Sequence, residues 1–201
     1  MNRLLSAIGC IFICCSSYAI DPKFTYEKTT DGIVLYSKDK DESHVAYIKI
    51  QVITDKIVRV IASPEKTMMP DQSLIVMYKN TVKPNWIVDA TNNDVQVKTA
   101  AVTVNANLVT GAISYLDAQG KLVVNEKENS RSIAPVIHEG KQSYKINQTF
   151  DVSADDALYG LGQHQDGLMN YKGYQVTLFQ NNTEVAVPML VSSKHYGIFW
   201  D

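Results

Sequence analysis

The sequence predicts an all-β protein, an antiparallel β-sandwich, and three observations carry that expectation. Apolar and polar residues alternate with a period of two in "HVAYIKIQVIT" (44–54). The β-type runs are short, rich in Val, Ile and Tyr, and recur at spacings of roughly ten residues with turn-forming residues between them. No window shows the apolar spacing of an amphipathic helix. The best helical candidate, "SADDALYGLG" (153–162), holds an Asp pair and two glycines and makes at most one helical turn.

Taken in order, the first nineteen residues stand apart from this pattern. "MNR" gives a positive start, "LLSAIGCIFICC" an apolar run, and "SSYA" small residues at Ser17 and Ala19. That is the pattern of a secretory signal peptide cleaved after Ala19, with a run too short to span a membrane. A lipoprotein signal at Cys10 would leave an apolar region of only five residues, so cleavage after Ala19 is preferred. Secretion or a periplasmic location, in a bacterium, is therefore expected. No other apolar stretch approaches the length of a transmembrane helix.

"GIVLYS" (32–37) opens the strand series and leads through the charged turn "KDKDE" to "HVAYIKIQVIT" (44–54). There Ile48, Ile50 and Val52 share one face, and Tyr47, Lys49 and Gln51 the other. Asp55-Lys56 turns the chain into "IVRVIAS" (57–63), which predicts a hairpin. An irregular stretch with Pro64, Pro70 and Pro84 follows. Strand character resumes at 95–99, 101–107, 111–117 and 121–126, with "DAQG" (117–120) as the loop between the last two. Further strands are expected at 143–152, 174–180, 184–193 and 195–201. Residues 20–201 read as one all-β unit.

Charge and cysteine content narrow the function classes. The chain carries 19 Lys+Arg against 21 Asp+Glu, a net charge of −2; without residues 1–19, which contain Arg3 and no acid, it is −3. With no basic run longer than two residues, nucleic acid is not an expected partner. All three cysteines, Cys10, Cys14 and Cys15, fall in the leader, so the remainder has neither disulfides nor thiolate ligands.

The chemically suggestive stretch is "LYGLGQHQDGLMNYKGYQ" (158–175), with three glycines in eight residues beside a histidine, an aspartate and several amides. It is not a dinucleotide fingerprint: Gly160 and Gly162 fit, but Gln165 replaces the third glycine and no helix follows. Neither is it a P-loop, because Leu168 and Met169 stand where Lys and Ser/Thr are required. His164 and Asp166 are two potential ligands where zinc needs three or four, and His44, His138 and His195 lie elsewhere. No metal and no cofactor is expected.

The same stretch, extended to "LYGLGQHQDGLMNYKGYQVTLFQNN", resembles the signature of glycoside hydrolase family 31, the α-glucosidases and α-xylosidases, in the N-terminal domain. "VAVPMLVSSKHYGIFWD" is similar to the next family segment, and "VTVNANLVTGAISYLDAQGKLVVNE" to its paired hairpins with an Asp-x-x-Gly-Lys turn. Gln163 stands where many members carry Glu, a variant that leans toward the bacterial α-xylosidase-like branch. The resemblance implies a galactose-mutarotase-like β-sandwich that packs, in the whole enzyme, on a (β/α)₈ catalytic barrel. It implies an oligosaccharide as substrate and a rim loop whose Gln163, His164, Gln165, Asp166 and Tyr171 would meet sugar, or else dock the sandwich on the barrel.

The catalytic carboxylates of the family belong to the barrel, and none is carried over to this chain. Its own acidic pairs, Asp155-Asp156 and Asp39/Asp41-Glu42, read as solvated turn residues. The sequence is accordingly expected to be a piece of a secreted α-glycosidase, truncated before the barrel. The competing expectation is a free-standing carbohydrate-binding module, with Trp86, Tyr171 and Tyr174 as aromatic platforms.

Overall fold

A computed structural model describes residues 21–38, 45–66, 73, 75–77 and 84–201. The leader with its three cysteines, His44, Pro70 and the acids Asp39, Asp41 and Glu42 lie outside the described residues.

Among the described residues every regular element is a strand and every pairing is antiparallel. Sheet I runs in simple order through β1 (Phe24–Lys28), β2 (Gly32–Ser37), β3 (Tyr47–Thr54) and β4 (Ile57–Ser63). Sheet II contains β5 (Ile87–Ala90), β6 (Asp94–Lys98), β7 (Val102–Asn107), β8 (Ile113–Asp117), β9 (Leu122–Glu126) and the short β12 (Phe150–Asp151), which pairs on β9. Between β9 and β12 the chain makes a separate hairpin, β10 (Ser132–His138) with β11 (Lys141–Asn147). Sheet III is β13 (Leu158–Gln163), β14 (Val185–Ser192) and β15 (Gly197–Phe199), in that order.

Sheets I and II form the sandwich. Period-two alternation puts Ile33, Leu35, Ile48, Ile50 and Val52 on the inner face of sheet I, against Val95, Val97, Val104, Ala106 and Ile113 of sheet II. Within sheet II the same face is continued across strands by the pairs Val95–Ala106 and Val97–Val104. The predicted split of β3 is correct, with Ile48, Ile50 and Val52 in this core. Its other face is covered as well: Tyr47 and Lys49 are 1 % and 3 % exposed. Lys49 tolerates burial because its ammonium meets the Asp31 carboxylate at 3.0 Å, which also accepts from Gln51 at 2.7 Å.

A second buried polar knot closes one end of the sandwich. Arg131 contacts both Glu126 oxygens at 2.5 Å and donates to Gln148 Oε1 and the Gly111 carbonyl, while the Ile113 amide donates to Glu126 Oε2. This ties the end of β9 to the start of β8 and the approach to β10. Burial pushes the Glu126 carboxyl up, opposed by Arg131 and the Ile113 amide.

The turns follow their residues. Gly120 has a φ of +78° in the "DAQG" loop, and the Asp117 carboxylate accepts the Gln119 and Lys121 amides, each at 2.9 Å. Three expectations need correction. Residues 158–163 are strand β13, not a helical turn. The strand expected at 143–152 is two pieces, β11 and β12. The strand expected at 174–180 is irregular chain: Gly173 (φ +81°) and a Tyr174 amide bond to the Tyr171 carbonyl turn it away, and Gln180 binds the Glu184 carbonyl and Ala186 amide in place of a strand neighbour.

Candidate functional site

The glycines of "LYGLGQ" allow β13 to lie unusually close to β14. Gly160 and Gly162 have φ of +101° and +103°, and the register shifts between them. A Cβ on Gly160 would sit 2.4 Å from the Met189 carbonyl oxygen, and one on Gly162 only 1.8 Å from that of Val185. No side chain fits at either position. Leu161 between them also has a positive φ, 63°, so the strand leaves the bulge with its polar continuation re-aimed into the loop.

That loop, 164–184, is held to its own root by hydrogen bonds. The Tyr171 amide donates to the Leu158 carbonyl at 2.8 Å, and the Leu158 amide to Asn170 Oδ1 at 3.0 Å. Lys172 reaches the Ser153 and Ala154 carbonyls. His164 Nε2 lies 2.9 Å from the Leu161 carbonyl, and its ring meets Tyr171 edge-on at 6.1 Å between centroids. Gln165 donates to Thr183 Oγ1, and Asp166 Oδ1 accepts the Leu168 amide.

Of the five residues the sequence singled out, Gln163, Gln165 and Asp166 are exposed, and His164 is half-buried. Tyr171 is 9 % exposed, so it braces the loop from within; burial and then the Asp166 carboxylate raise its phenol above the ordinary value. The open tyrosine is Tyr174, 60 % exposed. Trp86 is no open platform either. It is partly buried against the sandwich core, with the Lys28 ammonium 4.8 Å from its ring centroid. Among the described residues, no three His, Cys, Asp or Glu side chains converge as metal ligands.

The structure adds a residue that sequence reasoning misplaced. Asp156, read as a solvated turn acid, is 4 % exposed. Its carboxylate accepts from Ser192 Oγ at 2.7 Å, Ser193 Oγ at 2.9 Å and the Tyr196 hydroxyl at 3.0 Å. Burial would raise its carboxyl, but these donors and the Ala157 amide outweigh burial and hold it below the ordinary value. The root of β13 is thereby locked to the β14–β15 turn. Nothing local announces this contact, because its partners lie 36 to 40 residues downstream. Its neighbour Asp155 is exposed and meets Lys194 at 2.5 Å, with Ser153 also donating.

The far end of sheet III is anchored on the sandwich. Asp201 accepts from Arg59 of β4 at 2.9 Å and from Ser73 at 2.7 Å. One face of the sheet stays open and apolar: Tyr159, Val185, Val187, Val191 and Phe199 are each between 36 % and 48 % exposed. Among the described residues no helix is long and apolar enough to cross a membrane.

Comparison with known proteins gives this geometry a context. Residues 47–201 match the model of the glycosyl hydrolase 31 N-terminal galactose mutarotase-like domain. An α-xylosidase of Saccharolobus solfataricus is 32 % identical over 164 residues, which are 77 % of this chain and 22 % of that protein. The crystal structure of a family 31 α-xylosidase from Xanthomonas citri superposes with a TM-score of 0.79 at 40 % identity, over 87 % of this chain and 18 % of that one. An α-xylosidase from a soil metagenome, solved with xylose, shares the fold at a TM-score of 0.71 and 21 % identity. The chain thus spans about a fifth of the length of the first two relatives.

Proposed function

Because this chain belongs to the N-terminal galactose mutarotase-like domains of glycosyl hydrolase family 31, we propose that it is the non-catalytic N-terminal domain of a secreted, retaining α-glycosidase acting on oligosaccharides, an α-xylosidase or α-glucosidase. The observation that carries this reading is the coverage: the sandwich and sheet III here correspond to roughly a fifth of two α-xylosidases. The open apolar face of sheet III supports it, since such a face suits a covering domain. Secretion rests on the leader pattern at residues 1–19.

The acids of this chain fit a supporting role. Retention needs two carboxyl groups about 5–5.5 Å apart across the sugar. Asp155 is occupied by Lys194 and Asp156 by three hydroxyls. The chemistry then falls to carboxylates of a catalytic barrel in the same polypeptide. The 163–174 loop serves as its rim, with Gln163, Gln165, Asp166 and Tyr174 facing substrate and His164 and Tyr171 holding the loop's shape.

The test begins with the native polypeptide, sized in its source by an antibody against residues 20–201. A species several-fold longer than 201 residues is expected, active on aryl α-xylosides or α-glucosides, while the 201-residue chain alone is inactive. In the long form, Asp166→Ala should raise KM by about fivefold, the scale of one lost hydrogen bond, and leave the unfolding midpoint unchanged. A native species of 201 residues that retains oligosaccharide by itself would replace this reading with that of a free-standing binding module.

A further inference from the structure

The β10–β11 hairpin is ordered by its own sequence and left uncovered. Glu139 and Gly140 form its two-residue turn with φ of 49° and 76°, the pair of positive values that marks a type I′ connection and matches strand twist. The register divides its side chains between two faces. Ile133, Pro135 and Ile137 share one face with Gln142, Tyr144 and Ile146, while Ala134, Val136 and His138 share the other with Lys141, Ser143 and Lys145. At the base Ile133 is buried in the sandwich core, but Ile146, Tyr144 and Ile137 are 54 %, 41 % and 74 % exposed. The core's apolar surface thus continues along one side of an arm that stands in water. A two-stranded hairpin without packing is marginal in water at best, so this face calls for a cover.

Its size selects the occupant. Strands of seven residues are about 24 Å long, and two of them make a strip of roughly 250 Å². A stable association between free partners needs about 800 Å² from each. Laid face to face on a second copy, the strip falls short by about threefold. A partner on the same chain needs no such area, because tethering supplies a high effective concentration.

We propose that the apolar face of the β10–β11 hairpin is a clasp for the part of the same polypeptide that lies beyond these 201 residues. The proposal rests on the domain reading above, in which about four fifths of the relatives' length is still to be seated.

Residues 20–201 contain no cysteine, which allows a direct test. Ile137→Cys on the apolar face and Lys141→Cys on the polar face are each introduced into the 201-residue chain and into the full native polypeptide. Maleimide labelling rates are then read by mass spectrometry of the peptide concerned. Both positions are exposed, so neither change threatens folding. Cys at 137 should label rapidly in the short chain at every protein concentration and at least tenfold more slowly in the long one, while Cys at 141 labels rapidly in both. Equal rates for position 137 in the two forms overturn the clasp while leaving the domain reading intact. Slowing in the short chain as its concentration rises also overturns it, in favour of a second copy. A native polypeptide of only 201 residues, seen by its size alone, removes the domain reading and the clasp together.

Discussion

The sandwich of sheets I and II and the three-stranded sheet III are held by different physics. The sandwich buries apolar side chains on facing strands: Ile33, Ile50, Val95, Val97 and Ile113 are each fully inaccessible. Sheet III has no such interior. Its strands approach through glycine backbones, its root is fixed by the Asp156 hydroxyl cluster, and its end by Asp201 on Arg59. A core of this kind unfolds as a unit, whereas a sheet held by hydrogen bonds around an open apolar face opens locally. The sandwich is therefore the part expected to fold without help, and the part that carries the 164–184 loop is the part most in need of a neighbour.

The sharpest way to break that contrast is Arg131→Met. It leaves the Glu126 carboxylate buried without its cation, a loss on the order of 3–5 kcal/mol, and it should shift the urea midpoint of the whole sandwich. The pH dependence has a definite sign. Burial already raises the Glu126 carboxyl, and without Arg131 it rises further. A group whose folded pKa exceeds its unfolded value favours the folded state when protonated, so the variant regains stability as the pH falls. A shift confined to sheet III would mean that the two regions are not separate.

Asp156→Ala comes next, at about 1–3 kcal/mol for buried donors left without their acceptor. Here the effect should be local. Amide exchange should quicken at Tyr159 and Leu190 in β13 and β14 while the amides of Ile50 and Val97 keep their protection. In the unaltered protein the Asp156 carboxyl is depressed, so its contribution is full above the ordinary aspartate value and lost as the pH falls through the folded one. Sheet III should accordingly open before the sandwich does once the pH falls below the ordinary aspartate value. Simultaneous loss of protection in both regions would defeat this expectation.

The same division decides what was legible in the sequence. Strands β2, β3 and β4 could be read to within a few residues because period-two alternation and the Asp55-Lys56 turn are local signals. β10 was missed because Pro135 and the charged turn after it mask the alternation, and its apolar face beyond Ile133 is not part of the core. β13 was missed for a related reason: "LYGLGQ" is strand only because β14 approaches glycines 24 to 30 residues away. In the loop, residue type indicated which groups are polar, but not that Tyr171 is an internal brace and Tyr174 the open ring. Asp156 could not be told from Asp155 by any neighbour in sequence. Only the pairing of Leu158 with Ser192 separates the buried acid from the solvated one.

That adjacent pair supplies the smallest expected effect. Lys194 meets Asp155 at 2.5 Å, a shorter contact than any made by Asp156, and holds its carboxyl at about 2, with Ser153 assisting. Yet the side chains of Lys194 and Asp155 are 40 % and 72 % exposed, and water and salt screen a charge pair in that position. Lys194→Ala should move the Asp155 carboxyl back toward the ordinary aspartate range in an NMR titration while leaving the urea midpoint and the exchange protection of β13–β15 where they were. If β14 and β15 lost protection in this variant, surface charge would be what holds sheet III together. The buried hydroxyl cluster on Asp156 would then be a bystander, and the contrast between a packed sandwich and a hydrogen-bonded sheet would need a different cause.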